Sequence, residues 1–366
     1  MIKQVYISFI LVTVILLISG CKEDPVDNSV SLRGIEYNPQ SVNLELPPEF
    51  PALEIPEDNP LTIDGVSLGQ HLFFDPILSA DSTMSCASCH LPEAAFTDHL
   101  AQSPGIDGVA GPRSSMSLVN AGFIYTGLFW DGRIQSLEEQ ALIPVEDPIE
   151  LHHKWQDLIP QLRLSPMYQE LFRKAFGIAS SSEITKELAA KAIAQYERMI
   201  ISGNSDFDKY LRQEYFFSDE EADGFAMFFD KDPDIVDAEC FHCHSAPLIT
   251  DNSFKNNGLD EVDDPSEFID LGRGEVTGNP LDYGKFRVPT LRNITLTAPY
   301  MHDGRFETLE EVIDHYNSGG HFSPNKDPLI YPLGLSDNEK QNLIAFLHTL
   351  EDTSFLSNEY IKNPFN

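Results

Sequence analysis

The chain has 366 residues and a formal net charge of -34, from 58 Asp and Glu against 24 Lys and Arg. A surface so acidic argues against nucleic acid, whose binders must neutralise phosphates. It suits either plain solubility or a cationic partner drawn in by the complementary field.

In chain order, "MIKQVYISFILVTVILLISGC" opens the sequence: one early Lys, a long apolar run, then Ile18-Ser19-Gly20-Cys21. It reads as a signal peptide over 1–20 ending in a bacterial lipoprotein box, with Cys21 as the lipidated first residue. A retained membrane anchor is the alternative, but the apolar run is short for one. The mature protein is then expected in the cell envelope, held to the membrane only through that lipid and facing the periplasm or the outside. A tether is expected over 21–44, starting with the polar "KEDPVDNSV". About 345 residues remain after the leader, enough for two ordinary domains. The Pro-rich 44–62 reads as an extended strap, not a domain.

Beyond it come "LGQHLFFD" (68–75) and "CASCH" (86–90), then, in the second half, "DGFAMFFD" (223–230) and "CFHCH" (240–244). Two Cys separated by two residues and followed at once by His form the attachment signature of c-type haem. The thiols add to the vinyl groups and the imidazole turns to the iron. One turn of helix suits that spacing. Cys86, Cys89 and His90 would hold one haem, and Cys240, Cys243 and His244 the other. Half a zinc site or a redox dithiol is the plainer reading of a single pair. Zinc needs further ligands close by, however, and the pairs lie about 150 residues apart. With Cys21 lipidated, the five cysteines are all used and none is left for a disulfide. His242 is expected to point to the surface.

The duplication continues past the motifs. "NAGFIYTGLFWDGRIQSLEE" (120–139) parallels "NITLTAPYMHDGRFETLEE" (293–311), sharing Asp-Gly-Arg, three residues, and Leu-Glu-Glu. Each Asp-Gly turn leads into a helix with Ser136 or Thr308 near its start. Further helices are expected over 183–199 and 336–350, and strand signals are sparse. The fold class is therefore mainly α: two cytochrome c-like domains, 45–200 and 201–366, each around one covalent haem c.

Aligned on Asp-Gly-Arg, Met301 falls against Phe129 and His302 against Trp130. A thioether can close a His-ligated haem and raise its potential, whereas Phe cannot ligate iron. One haem should therefore be closed and the other able to open a position to a small oxidant.

Here the chain resembles the bacterial dihaem cytochrome c peroxidases and their MauG-like relatives, from about residue 45 to 350. The resemblance rests on both Cys-x-x-Cys-His motifs, the "FFD" before each, "FWDGRIQSLEEQALIPVEDPIE" and "FRVPTLRNITLTAPYMHDGRF". It implies a peroxidatic N-terminal haem, an electron-delivering C-terminal haem, and a Trp between them, the place of Trp130. It also implies a distal Gln and Glu, the places of Gln140 and Glu150. A positioned carboxylate can shuttle the protons of peroxide cleavage, and an amide can hold peroxide by hydrogen bonds.

The resemblance further implies that hydrogen peroxide is the substrate and that a small cytochrome c or cupredoxin is the donor. A loop His caps the peroxidatic haem in some members, and His99 is a candidate. His152 and His153 are expected at the surface. Members often bind calcium between the haems through an Asn, in whose approximate place this chain has Ser114, so the calcium ligands stay unassigned. A homodimer stays open. Two alternatives remain: a MauG-like oxidase of a partner protein, which carries Tyr at the place of Met301, and a dihaem electron carrier without catalysis.

Overall fold

The computed structural model describes residues 29–365, so Cys21 and its leader lie outside the described residues. The chain is mainly helical. Its only sheet among the described residues is the antiparallel pair Phe254–Lys255 and Phe286–Arg287.

Both aromatic pairs close a helix. Ile63–Phe74 starts at Thr62, whose side chain accepts from the Gly65 amide. Asp219–Phe229 starts at Ser218 with a capping box to Glu221. The helix expected over 183–199 runs Lys186–Glu197 from the N-cap Thr185, with Ser181–Glu183 forming a separate turn before it. The one expected over 336–350 is Asp337–His348, boxed by Ser336 and Glu339. Ser136 and Thr308 are the N-caps of Leu137–Gln140 and Leu309–Ser318.

Each aromatic-pair helix crosses one of these long helices at a glycine. A Cβ on Gly69 would lie 1.9 Å from the Ala192 carbonyl oxygen, and one on Gly224 would lie 2.0 Å from that of Asn342. Only a residue without a side chain lets the backbones approach so closely. The two glycines occupy the same place in "LGQHLFFD" and "DGFAMFFD", so the duplication extends to the helix packing. Around the first crossing Leu68, Leu72, Trp155, Leu158, Phe172 and Ile193 share a core. Around the second, Met227, Phe228, Leu343, Phe346 and Leu347 share another.

The strap and the C-terminal turns tie the halves together. Phe50 of the strap packs edge-to-face on Phe123, ring centres 5.5 Å apart, and beneath the Arg292 guanidinium at 4.6 Å. Arg292 itself forms a fully buried pair with Asp208 at 2.7 Å. The last turns fold back, with the Gln70 amide donating to the carbonyls of Glu359 and Lys362. Of the stretch expected as a tether, residues 29–44 lie along the N-terminal half. Leu32 is buried in the first core, and the Val42 amide donates to the Leu61 carbonyl.

Gly224→Ala is expected to lower stability by about 1–3 kcal/mol, the usual cost of overpacking. Gly34→Ala, with nothing within 4 Å of its new methyl, should stay within about 0.5 kcal/mol of wild type. Denaturant midpoints of the two variants check this.

Candidate functional site

The two Cys-x-x-Cys-His motifs fold alike. Cys86–Ser88 and Cys240–His242 are single 3₁₀ turns, tighter than the helical turn expected. In each, the His amide closes back on the first Cys carbonyl, His90 to Cys86 at 3.0 Å and His244 to Cys240 at 2.9 Å.

Their imidazoles are held alike too. Nδ1 of His90 lies 2.9 Å from the Phe96 carbonyl, and Nδ1 of His244 lies 3.3 Å from that of Ile249. A carbonyl can only accept, so Nδ1 carries the hydrogen and Nε2 keeps its lone pair. That is the tautomer and the outer hydrogen bond of a metal-ligating histidine. Burial lowers both pKa values, that of His244 to about 4. Burial also raises the thiols, Cys240 to about 12, Cys89 and Cys243 to about 11, and Cys86 further. All four are unpaired. No group of three or more His, Cys, Asp and Glu arranged for a metal ion occurs among the described residues.

A cavity joins the second motif to the first half of the chain. Cys240, Cys243, His244, Met301, Trp130 and Arg287 all line it. The two Asp-Gly-Arg loops behind it are near copies. Phe129 and Met301 both take the left-handed conformation, φ 65° and 74°, as do Gly132 and Gly304 at 68° and 66°. Leu128 bonds to Ile134 and Tyr300 to Phe306, each at 2.7 Å. The side chains then diverge. The Phe129 ring lies under the Arg133 guanidinium, 3.6 Å away. The Met301 sulfur accepts from the Asn257 amide at 3.6 Å, and the same amide donates to the Tyr316 hydroxyl. His302 stacks on Phe286 at 3.6 Å.

Ser114 connects the loops. Its carbonyl accepts from Trp130 Nε1 at 3.0 Å, its amide donates to the His302 carbonyl at 2.7 Å, and its hydroxyl donates to the Met301 carbonyl at 3.0 Å. The next residue reaches the first motif: the Ser115 hydroxyl donates to the Cys89 carbonyl at 2.6 Å and lies 3.3 Å from His90 Nδ1. Two consecutive serines thus touch both candidate haem sites and the Trp.

Gln140 ends the helix Leu137–Gln140 and is half-buried. Glu150 lies in the turn after Ile143–Glu146, its carbonyl accepting from the Ile106 amide at 3.0 Å. Its charge raises the thiols of Cys86 and Cys89, which sets it within electrostatic range of the first motif. Part of Glu150 is exposed, yet desolvation by the chain around it, with the nearby Asp147 charge, raises its carboxyl to about 7 against the opposing pull of Arg133.

The other histidines separate. His242 is exposed and pairs with Glu239 at 2.8 Å, as expected. His152 is exposed and pairs with Asp107. His153 is not at the surface: it is buried, with Nδ1 accepting from the Lys154 amide and Nε2 beside Gln161. Its neighbours Leu151 and Trp155 belong to the first core, and His153 is carried in with them. His99 is exposed and lies 3.3 Å from the Ala298 carbonyl.

Comparison with known proteins decides the family. The family model described as di-haem cytochrome c peroxidase matches residues 64–215. A cytochrome-c peroxidase, IdrP1, of Pseudomonas sp. (strain SCT) is 34% identical over 88% of this chain and 90% of its own. The methylamine utilization protein MauG of Methylorubrum extorquens is 37% identical over 81% of this chain and 80% of its own. Among solved structures, a MauG-like protein associated with microbial copper homeostasis aligns with TM-score 0.83 and 35% identity, over 89% of this chain and all of its own. The chain belongs to the dihaem cytochrome c peroxidase and MauG family.

The family is a dihaem one, and both motifs fit such a group. Each offers two thiols and a free imidazole lone pair, and the second opens on a cavity beside a thioether. Among the described residues, no helix is long and apolar enough to cross a membrane. Sequence reading passed over several residues the geometry brings to these sites. Ser115 and Asn257 carry no motif signal. Arg287 stands inside "FRVPTLRN" but acquires meaning only through burial. Glu197, on the helix Lys186–Glu197, is buried with one oxygen unpartnered and its pKa raised to about 8, and its charge bears on Cys86.

Asp147→Asn removes the like charge beside Glu150 and should move its titration down toward the ordinary carboxylate range. Arg133→Gln removes the opposing charge and should move it up. Carboxyl signals followed against pH by isotope-edited infrared spectroscopy check both directions.

Proposed function

We propose that this dihaem protein is a cytochrome c peroxidase that reduces hydrogen peroxide to water with electrons from a small redox protein. The observation that carries this reading is the pair of near-identical loops with Met301 in one and Phe129 at the equivalent place in the other. A sulfur ligand is on offer beside the second motif, and none at the equivalent place beside the first.

Two haems, covalently attached at Cys86/Cys89 and Cys240/Cys243, would supply one-electron chemistry and a binding place for peroxide. His90 and His244 would each hold a haem through Nε2, and Met301 would offer its sulfur to the second. Trp130, on the wall of the second haem's cavity and tied through Ser114 to the segment that touches the first motif, is the residue between the haems. Gln140, whose side-chain amide has no hydrogen-bond partner among the described residues, binds peroxide or water. Glu150 takes a proton from the peroxide oxygen near it and returns one to the leaving oxygen, and a pKa of about 7 suits both tasks near neutral pH. The acidic surface favours a cationic donor, a small cytochrome c or cupredoxin, and electrons enter at the C-terminal haem. The domain division at about residue 200 and lipid anchoring through Cys21 belong to the same reading. Relatives named MauG are as similar as those named peroxidase. Met301, where the MauG type carries Tyr, favours the peroxidase.

Glu150→Gln should keep both haems and lose about 10²–10⁴-fold of peroxide turnover, the usual contribution of a general acid–base group. Steady-state peroxide consumption with a reduced cytochrome as donor measures it, and a loss below about threefold would leave Glu150 an ordinary surface acid.

In a redox titration the C-terminal haem should accept its electron first, well before the N-terminal haem. Met301→His should lower that first potential while Cys240, Cys243 and His244 still hold the haem. Two nearly equal potentials in wild type would remove Met301 as a ligand.

A further inference from the structure

Among the described residues three arginines are buried. Two of them are paired, Arg292 with Asp208 and Arg198 with Glu138. Arg287, only 5% exposed, has no carboxylate in ion-pairing range among the described residues. Its side chain reaches the Phe129 carbonyl at 3.4 Å through Nε and the Met116 sulfur at 3.5 Å through Nη2. Five N–H donors thus find two acceptors, and one of those is a thioether. Desolvation alone pulls its pKa down to about 10. A buried guanidinium without an anion is a costly arrangement, and folded proteins supply the anion.

The missing anion has a place to come from. Arg287 lines the same cavity as Cys240, Cys243, His244 and Met301. Lys255 lines it too but already holds Asp327 at 2.9 Å. Haem carries two propionate carboxylates, and a guanidinium is the side chain best shaped to take a carboxylate with two parallel hydrogen bonds. We infer that Arg287 binds a propionate of the haem held by Cys240, Cys243 and His244. The inference rests on the two-haem reading above and adds a consequence. The Arg287 amide donates to the Trp130 carbonyl at 2.8 Å, so the residue that grips the second haem also grips the Trp loop of the first half. Arg287 is therefore a positioning residue that holds the C-terminal haem in register with Trp130.

The test uses the mature protein with its haems counted by mass and by a haem-stained denaturing gel. Arg287→Gln removes a cation from beside the haem, so ferric iron gains. The C-terminal haem should lose at least tenfold in its electron-accepting equilibrium, about 59 mV for one electron, while the N-terminal potential stays in place. Arg287→Lys keeps the charge and should recover most of the loss. With propionates labelled by ¹³C, the infrared carboxylate band should shift in both variants, because a planar two-point bond is replaced by a single point charge or by none. If Arg287→Gln fails to acquire haem, the labelled band of Arg287→Lys decides alone. A Lys variant with its band and potential both at wild-type values overturns the inference, and so does a Gln variant that matches wild type in both. A wild-type protein with no haem at Cys240 and Cys243 instead overturns the two-haem reading beneath it.

Discussion

The hydrogen bond from each motif imidazole to a main-chain carbonyl is the constraint on which the site depends. His90 is held by Phe96 and His244 by Ile249. Without that bond a histidine beside two cysteines could take either tautomer and any ring rotation. With it, Nε2 carries the lone pair in a fixed direction, and the cavity, Met301 and Trp130 acquire meaning relative to that direction. The carbonyls lie five and six residues downstream, in the turns that follow each motif. A short stretch of chain therefore supplies the thiols, the ring and the tether together.

Duplication explains why two such sites exist and divergence explains why they differ. The halves share a glycine at the helix crossing, a 3₁₀ motif turn, and a left-handed loop with matching dihedral angles. These are backbone features, demanded by close approach and by turn geometry, and they allow little change. Side chains on the same framework change freely. Phe129 stacks under Arg133 where Met301 offers sulfur to Asn257, and Trp130 stands where His302 stacks on Phe286. On the peroxidase reading, one haem would store an electron and the other would bind the oxidant, which calls for two unlike settings. A repeated backbone with unlike side chains provides them at small structural cost.

The region between the halves is dense with short connections. Ser114 meets Trp130, Met301 and His302, Ser115 meets Cys89 and His90, and Arg287 meets Phe129 and Trp130. Most of these bonds join a side chain to a main-chain carbonyl, so the side chains of Ser114, Ser115, Trp130 and Arg287 hold the loops together. The arrangement leaves little freedom for one loop to move without the other.

Read alone, the sequence determined what covalent chemistry and local spacing dictate. Cys-x-x-Cys-His is legible because attachment and ligation need those atoms at that separation. The two long helices, and the Ser136 and Thr308 caps after the Asp-Gly turns, are legible because capping and apolar period are local. The Met301/Phe129 asymmetry is legible because Asp-Gly-Arg fixes the alignment. Tertiary structure decided what depends on residues far apart in the chain. Burial of Arg287 without a carboxylate, and of His153 where an exposed ring was expected, follows from which elements close over them. Ser114 became a clamp only when residues 16 and 187 positions away were brought to it. The raised pKa of Glu150 comes from the protein packed around it and from Asp147, and no spacing rule in a sequence records how much water a fold removes.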